Sequence, residues 1–366
     1  MSSPNTRFKS DLGSFLSVWR ARFHGARCTQ LPVVYLDITD RCNSACAGCN
    51  KWQVHKNMPP ELTTDEILNL IPAMRRLKTR LISISGGEPT LRSDLETCFH
   101  SFRNEGIAVH MNTNGLGISR ERAKSLVDAG LTVVYISWDH CDRDIYMAIR
   151  GIDGVERVIA TVNHFKSLPK PIPIGINITV SRLNETALEE IAERCIGWGV
   201  QKIQFIPIHT HLQQRNMDKD IFKPLLPKDI NTIRETLQRV TRRLRKLKIA
   251  TNSDYFINHF DYSYRPLRAV PCIAGFLYAI IDPFGEVIPC YEFPSGLNVR
   301  EKQLDEIVNL EHFQTLRESV VNCSVPCLDA CSAEPSIRFY MPYLLRHPLE
   351  IYRQARMHRY EDTKRK

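Results

Sequence analysis

Residues 33–49 read VVYLDITDRCNSACAGC, and that stretch decides the fold. The run Val33–Ile38 is apolar and rich in β-branched residues, which suits a strand. Cys42, Cys46 and Cys49 follow at once, spaced C-x3-C-x2-C. Three thiolates on one short loop can take three irons of a [4Fe–4S] cluster, leaving the fourth iron open to a small molecule. The competing reading is a zinc loop. A closed zinc site wants four ligands; no fourth cysteine lies nearby, and His55 is the candidate that would complete it.

Outward from this loop, strand and helix signals alternate. Apolar runs recur at 81–85, 107–111, 132–137, 172–180 and 202–206, with helical patterns near 64–78, 91–104, 119–129, 153–167 and 185–198. Thr63, Thr64, Asp65 and Glu66 read as a helix start, a capping hydroxyl followed by acids. Six strands alternating with helices predict an α/β fold with a parallel sheet. Periodicity allows both an open wound sheet and a barrel. A long basic helix is expected at 227–248, and a hairpin at 272–293 turning at Asp282 to Gly285.

The second strand ends in Ser85, Gly86, Gly87, Glu88 and Pro89. Two glycines let backbone approach a ligand closely, and a carboxylate at a strand end can accept from an ammonium. Set about 40 residues after the cysteines, this loop and C-x3-C-x2-C together resemble the radical S-adenosylmethionine (SAM) superfamily. The resemblance spans about 33–335. It implies a partial (β/α)6 TIM-like barrel carrying a small cysteine-rich C-terminal module, with the cluster and SAM at the C-terminal strand ends. It implies that Gly86, Gly87, Glu88 and Pro89 hold the methionyl amino group. Asn112 and Asn114 after the third strand, and Ser137 and Asp139 after the fourth, would contact ribose and carboxylate; Thr179 to Asn184 follows the fifth strand in the family's manner. One position departs from the pattern. The family's aromatic before the third cysteine is Gly48 here, and Trp52 is the nearest replacement.

Cys272, Gly285 and Cys290 give C-x12-G-x4-C, and Cys323, Cys327 and Cys331 give C-x3-C-x3-C. This resembles the SPASM/twitch extension. Five cysteines suffice for one auxiliary [4Fe–4S] cluster with a thiol to spare; a zinc ribbon is the alternative. The organisation expected is a basic amphipathic extension (1–32), the barrel (33–250), the auxiliary module (251–335) and a basic aromatic tail (336–366).

The resemblance implies an enzyme that cleaves SAM reductively to a 5′-deoxyadenosyl radical, which takes hydrogen from a C–H bond. A reductant such as flavodoxin or ferredoxin would supply the electron. The 32 residues before the first strand are too few for a peptide-recognition domain, which favours a non-peptide small-molecule or lipid substrate over a peptide. The remaining alternative is a non-catalytic iron–sulfur or zinc scaffold.

Bulk composition agrees. Of 366 residues, 43% are hydrophobic and 24% charged, as in a globular protein. No apolar run reaches the length of a membrane span and the N-terminus lacks an apolar signal core, so the expected location is the cytoplasm. Twelve cysteines without a signal peptide point to metal rather than disulfides; Cys28, Cys98, Cys141 and Cys195 stand alone and read as buried apolar residues. The net charge of +9 sits wholly in residues 1–32 and 336–366. Beside it run apolar stripes, Phe8, Leu12, Phe15, Leu16, Trp19 and Phe23 at one end and Phe339, Tyr340, Tyr343, Leu344, Leu345, Leu349 and Tyr352 at the other. They suggest either peripheral attachment to the inner membrane surface or simple packing on the barrel, the reading weighted more heavily. No recognised module supports nucleic-acid binding.

Overall fold

The computed structural model describes residues 4–53, 58–208, 219–263, 270–325 and 327–348, and side chains from residue 13 onward except 219–221, 262 and 263. His55 lies outside the described residues, as do residues 349–366 of the tail and the side chains of Phe8 and Leu12.

Six strands run parallel and pair in chain order: β1 (Val33–Thr39), β2 (Leu81–Gly86), β3 (Ala108–Thr113), β4 (Leu131–Ser137), β5 (Ile174–Val180) and β6 (Lys202–Pro207). A doubly wound sheet reverses its order at a switch point. This sheet does not, so the choice falls on a partial barrel, left open with β6 at one edge. The C-terminal hairpin continues the same sheet. β7 (Tyr278–Ile281) pairs parallel to β1, and β8 (Val287–Ile288) pairs antiparallel to β7.

The two faces of the sheet differ chemically. Val34, Leu36, Ile84, Met111, Ile136, Ile176 and Phe205 point to the helices and are fully buried. Their alternates Ser85, Asn112, Tyr135, Asn177 and Lys202 are polar and half-buried, so they line an open lumen. A closed barrel fills its interior with layers of branched apolar residues; here that face carries polar residues, several of them half-buried.

Several expected helices differ. The pattern at 64–78 is two helices, Thr64–Leu68 and Ile71–Arg76, with Pro72 at the start of the second, where its missing N–H costs nothing. Thr63 and Glu66 do form a reciprocal cap on the first. The helix expected from 91 begins at Leu95, behind a 3-10 turn at Pro89–Leu91. The helix Arg143–Arg150 was not anticipated: eight residues between the Asp142 cap and a left-handed Gly151 are too few for a clear period. The hairpin strands are shorter than 272–293, which leaves both cysteine feet in irregular backbone.

The N-terminal stripe is covered in part among its described side chains. On the helix Pro4–His24, Phe15, Val18, Trp19, Ala21 and Phe23 pack against Ile273, Phe276 and Phe339, and the rings of Phe15 and Phe339 stack at 4.5 Å. Among the described side chains of this stripe, Phe15, Trp19 and Phe23 pack on the body, as the packing reading expects, while Leu16 stays exposed. Tyr343 is likewise buried, while Leu345 is 76% exposed. No helix among the described residues is long and apolar enough to cross a membrane. Cys28, Cys98 and Cys195 are buried and Cys141 half-buried, as their isolation implied.

Candidate cluster sites at the mouth of the barrel

Cys42, Cys46 and Cys49 occupy irregular backbone after β1, held on three sides. On one side stands Glu61, which accepts from the Asp40 N–H and the Thr39 hydroxyl, both at 2.8 Å. On the second is the glycine loop: Gly87 N–H donates to the Thr39 carbonyl at 2.7 Å and Glu88 N–H to the Arg41 carbonyl at 2.8 Å. A Cβ on Gly86 would stand 2.2 Å from the Thr39 oxygen, and one on Gly87 2.2 Å from the Arg41 oxygen. The close approach that these glycines permit is therefore to the cysteine loop's own backbone. Third is the C-terminus of the helix Arg143–Arg150, whose open carbonyls accept from the Ala47 N–H (2.9 Å) and the Ser44 hydroxyl (2.6 Å). Gly151 allows this contact, since its Cβ would meet the Ala45 oxygen at 2.3 Å.

The thiols are half-buried and within electrostatic reach of one another; burial pushes Cys42 up to about 11 and raises Cys49. Bound iron would deprotonate them outright. The Asn114 amide lies 3.9 Å from the Cys42 sulfur and Arg150 Nη1 3.9 Å from the Cys46 sulfur. Among the described residues, no three Cys, His, Asp or Glu side chains close on the position of a single ion. A four-iron cube does not ask for that, because each thiolate takes a different iron around a volume. The donor set fits the cluster.

The other expected ligand-binding residues divide. Asn112 and Ser137 are half-buried on the lumen face. Asn112 accepts from Asn177 at 3.2 Å, and Asn114 also donates to Asn43 at 2.7 Å. Glu88 is fully buried: one oxygen accepts from the Thr90 N–H (3.1 Å), the Thr90 hydroxyl (2.5 Å) and the Thr113 hydroxyl (2.7 Å), the other from the Asn114 N–H (2.7 Å). It ties the end of β2 to the end of β3. Asp139 is buried too, paired with Arg150 at 2.6 Å and accepting from the Thr179 N–H at 2.7 Å. Asn184 spends its side chain on backbone at Ser181, Thr179 and Asp139. Trp52 donates to the Cys49 carbonyl at 2.9 Å in the turn Lys51–Gln53.

Sequence reasoning missed Glu61, Arg150 and a buried cluster around Asp37. Lys51 pairs with Asp37 and stands 3.8 Å from Asp40, and the Tyr291 hydroxyl donates to Asp37 at 2.9 Å. Burial alone would lower Lys51; the two carboxylates prevail and raise it. Only adjacency to cysteines could have flagged these residues, Lys51 lying just after Cys49 and Tyr291 just after Cys290.

At the second site, Cys272, Cys290, Cys323 and Cys327 line one small cavity with apolar neighbours such as Val320 and Leu328. Burial pushes Cys290 up to about 12 and raises Cys327. Cys331 is not in that wall. It is exposed, and its carbonyl accepts from the Tyr35 hydroxyl at 3.1 Å. Gly285 sits in the hairpin turn at φ 94, with no room for a Cβ beside Asn298.

Two domain families match the chain. The Radical SAM superfamily covers residues 36–195, and the SPASM iron–sulfur cluster-binding domain covers 272–333. Among curated proteins, pre-heme d1 synthase of Dinoroseobacter shibae is 30% identical over 246 residues, which are 64% of this chain and 59% of that protein. A probable GTP 3′,8-cyclase of Thermococcus kodakarensis is 27% identical over 61% of this chain and 70% of its own length. The PqqA peptide cyclase of Rhodopseudomonas palustris is 26% identical over 72% and 70%. The fold is that of Streptococcus suis SuiB bound to S-adenosylmethionine, with TM-score 0.65 and 16% identity over 87% of this chain and 74% of that one.

Proposed function

We propose, from the premise that this chain belongs to the radical SAM superfamily and carries its [4Fe–4S] clusters and SAM, that it is an enzyme acting on a non-peptide small molecule held in the half-barrel lumen. The observation that carries this reading is the lumen wall, polar and half-buried where a closed barrel would be packed solid. When bound, the cluster and SAM supply a one-electron cleavage and hence a radical able to take hydrogen from carbon.

The chain's own residues divide the remaining work. Cys42, Cys46 and Cys49 are the ligands of the open cluster. Asn114 and Arg150 set an amide dipole and a cation beside two of those sulfurs, where they offset thiolate charge. Asn112 and Ser137 face the lumen as SAM contacts. Gly86, Gly87 and Pro89 shape the loop against the cysteines, while Glu88 and Asp139 act from behind the surface by fixing Asn114 and Arg150. Cys272, Cys290, Cys323 and Cys327 take the auxiliary cluster and Cys331 is the spare thiol. A lipid substrate is less favoured, because Phe15, Trp19 and Phe23 of the N-terminal stripe pack on the body. A peptide stays as the second reading, favoured by the similarity to PqqA peptide cyclases.

The test is anaerobic reconstitution with SAM and dithionite. Release of 5′-deoxyadenosine, with deuterium transfer from a labelled small molecule, is the expected result. A fully loaded protein that releases none is a scaffold, and transfer from peptides alone would select the second reading.

A further inference from the structure

A cavity lies at the other end of the barrel, near the start of β4, β5 and β6. It measures about 540 Å³, within the range of small-molecule sites. Its walls are mostly apolar, with Val133, Ile174, Val200 and Ile249 among them. A few polar groups converge on it: Tyr135, Lys202, Gln204, Thr251, Glu334 and Arg338.

One cross-strand row builds its floor. Tyr135, Gly175 and Lys202 are register partners on β4, β5 and β6. A Cβ on Gly175 would stand 2.4 Å from the Tyr135 ring, so only glycine lets that ring lie across β5. The phenol thereby reaches Lys202 at 3.3 Å, and the ammonium sits 5.1 Å from the ring centre. Tyr135, Lys202 and Gln204 also belong to the lumen face. The cavity therefore shares the lumen face of β4 and β6 with the chamber whose other end carries Cys42, Cys46 and Cys49.

Arg338 and Lys202 both lie within electrostatic reach of Glu334, and the cations outnumber that acid. Lys202 is bonded to a neutral phenol. Arg338 Nε and Thr251 Oγ1 are buried with no partner among the described residues, and an unmade buried bond costs about 1–3 kcal/mol. The single acid in the wall, Glu334, has one oxygen taken by the Ser253 N–H at 2.8 Å, and burial raises its pKa. Three cationic side chains, Lys202, Arg338 and the exposed Lys248, therefore line the cavity against one carboxyl, whose pKa burial raises although Arg338 and Lys202 pull it down.

We propose that this cavity is the anion-recognition end of the substrate chamber and takes a small organic anion, a carboxylate or phosphate ester on an apolar body, with Lys202 and Arg338 as its cationic contacts. The proposal rests on the enzyme reading above and names its substrate class. Lys202 to Pro207 is five residues on β6, about 16 Å at strand pitch, which sets the scale between the anionic head and the C-terminal strand ends.

The test is equilibrium dialysis of cluster-loaded protein with two probes, 8-anilinonaphthalene-1-sulfonate and its uncharged parent N-phenyl-1-naphthylamine. The sulfonate should bind at one equivalent, about tenfold tighter than the amine. Lys202→Met with Arg338→Gln should erase that preference. Glu334→Gln, which keeps a carbonyl for Ser253 and removes the negative charge, should strengthen sulfonate binding severalfold, and it decides the matter should the double variant not fold. Equal binding of the probes, a preference that survives the double variant, or weaker sulfonate binding in Glu334→Gln would overturn the proposal. The readout needs no turnover. Failure of SAM cleavage in the same preparation would sink the enzyme reading and leave an anion site standing, whereas loss of the preference with cleavage intact would sink this inference alone.

Discussion

Replacing Glu88 by Gln separates two roles that its place in the Gly86–Pro89 loop permits. If the carboxylate serves only to accept from a bound ammonium, the protein without SAM should not notice the change. The structure says that it will. One oxygen gathers three donors and the other holds the Asn114 N–H at 2.7 Å. A glutamine keeps its carbonyl for the three and must turn its NH2 toward the Asn114 N–H, donor against donor. The lost charge-assisted bond is worth about 1.5–3 kcal/mol and the orphaned N–H costs about 1–3 more. Against this stands the relief of burying an amide in place of a carboxylate, whose pKa burial already pushes up. The net is about 3 kcal/mol. With an unfolding entropy of about 2.1 cal/mol/K per residue, a chain of this length should melt about 4 °C lower. The assay is a thermal melt of cluster-loaded protein without SAM, beside a SAM-binding isotherm. A melting point within about 1 °C of wild type, together with weakened SAM binding, would refute the structural role.

Iron counts test the ligand choice: Cys331→Ser should keep about eight irons per chain, while Cys323→Ser or Cys327→Ser should keep about four, and the reverse pattern would place Cys331 in the cluster. Asp37→Asn leaves a buried Lys51 with Asp40 at 3.8 Å as its remaining carboxylate, a loss of about 3–5 kcal/mol. Adding Lys51→Met should restore much of it, and a thermal melt that shows no recovery would mean Asp37 acts otherwise. Arg92 holds Asp94 at about 2, below the ordinary carboxylate range, and Thr64 adds a bond of 2.6 Å. A lowered folded pKa stabilises above the ordinary value and is lost as pH falls through the folded one. The stability gap between wild type and Asp94→Asn, about 2 kcal/mol at neutral pH, should therefore shrink between about pH 5 and pH 2; a gap unchanged across that range in urea unfolding would contradict the pairing.

The strands were legible because their signal is local. Burying one face against helices forces a β-branched apolar run at Val34–Ile38, at Ile82–Ile84 and at each later strand, so six strands were placed within two residues of their observed ends. The cysteine spacing was legible as a family pattern, because iron chemistry constrains both residue type and spacing, and both domain families match over those residues. The supports of the cysteine loop were not. Glu61 caps that loop from 12 residues beyond Cys49, and Arg150 reaches Cys46 across 104 positions from a helix too short to show a period. Nothing about a lone Glu or Arg in sequence announces which backbone it will meet. The glycine loop shows the same limit from the other side: the residues were singled out, but the partner of their close approach, the chain itself at Thr39 and Arg41, is a tertiary fact.

Asp37 shows why the two cysteine sites belong to one mechanical unit. It lies on β1, the strand that leads to the first cysteine loop and also pairs with β7 of the C-terminal hairpin. Its carboxylate takes Lys51 from the loop after Cys49 and the Tyr291 hydroxyl from the residue after Cys290. A buried pair of this kind adds little net stability, because desolvation offsets its attraction, but it is costly to break. Its effect is therefore on geometry. Neither cysteine loop has regular backbone of its own, and each would be free to shift if anchored only at its strand. With one buried carboxylate gripping both and β7 registered on β1, a displacement of the auxiliary site relative to the first must either slide a parallel sheet or strand a buried charge. The spacing between the two sites is thus set by β1 itself, the strand with which the residue pattern at 33–49 begins.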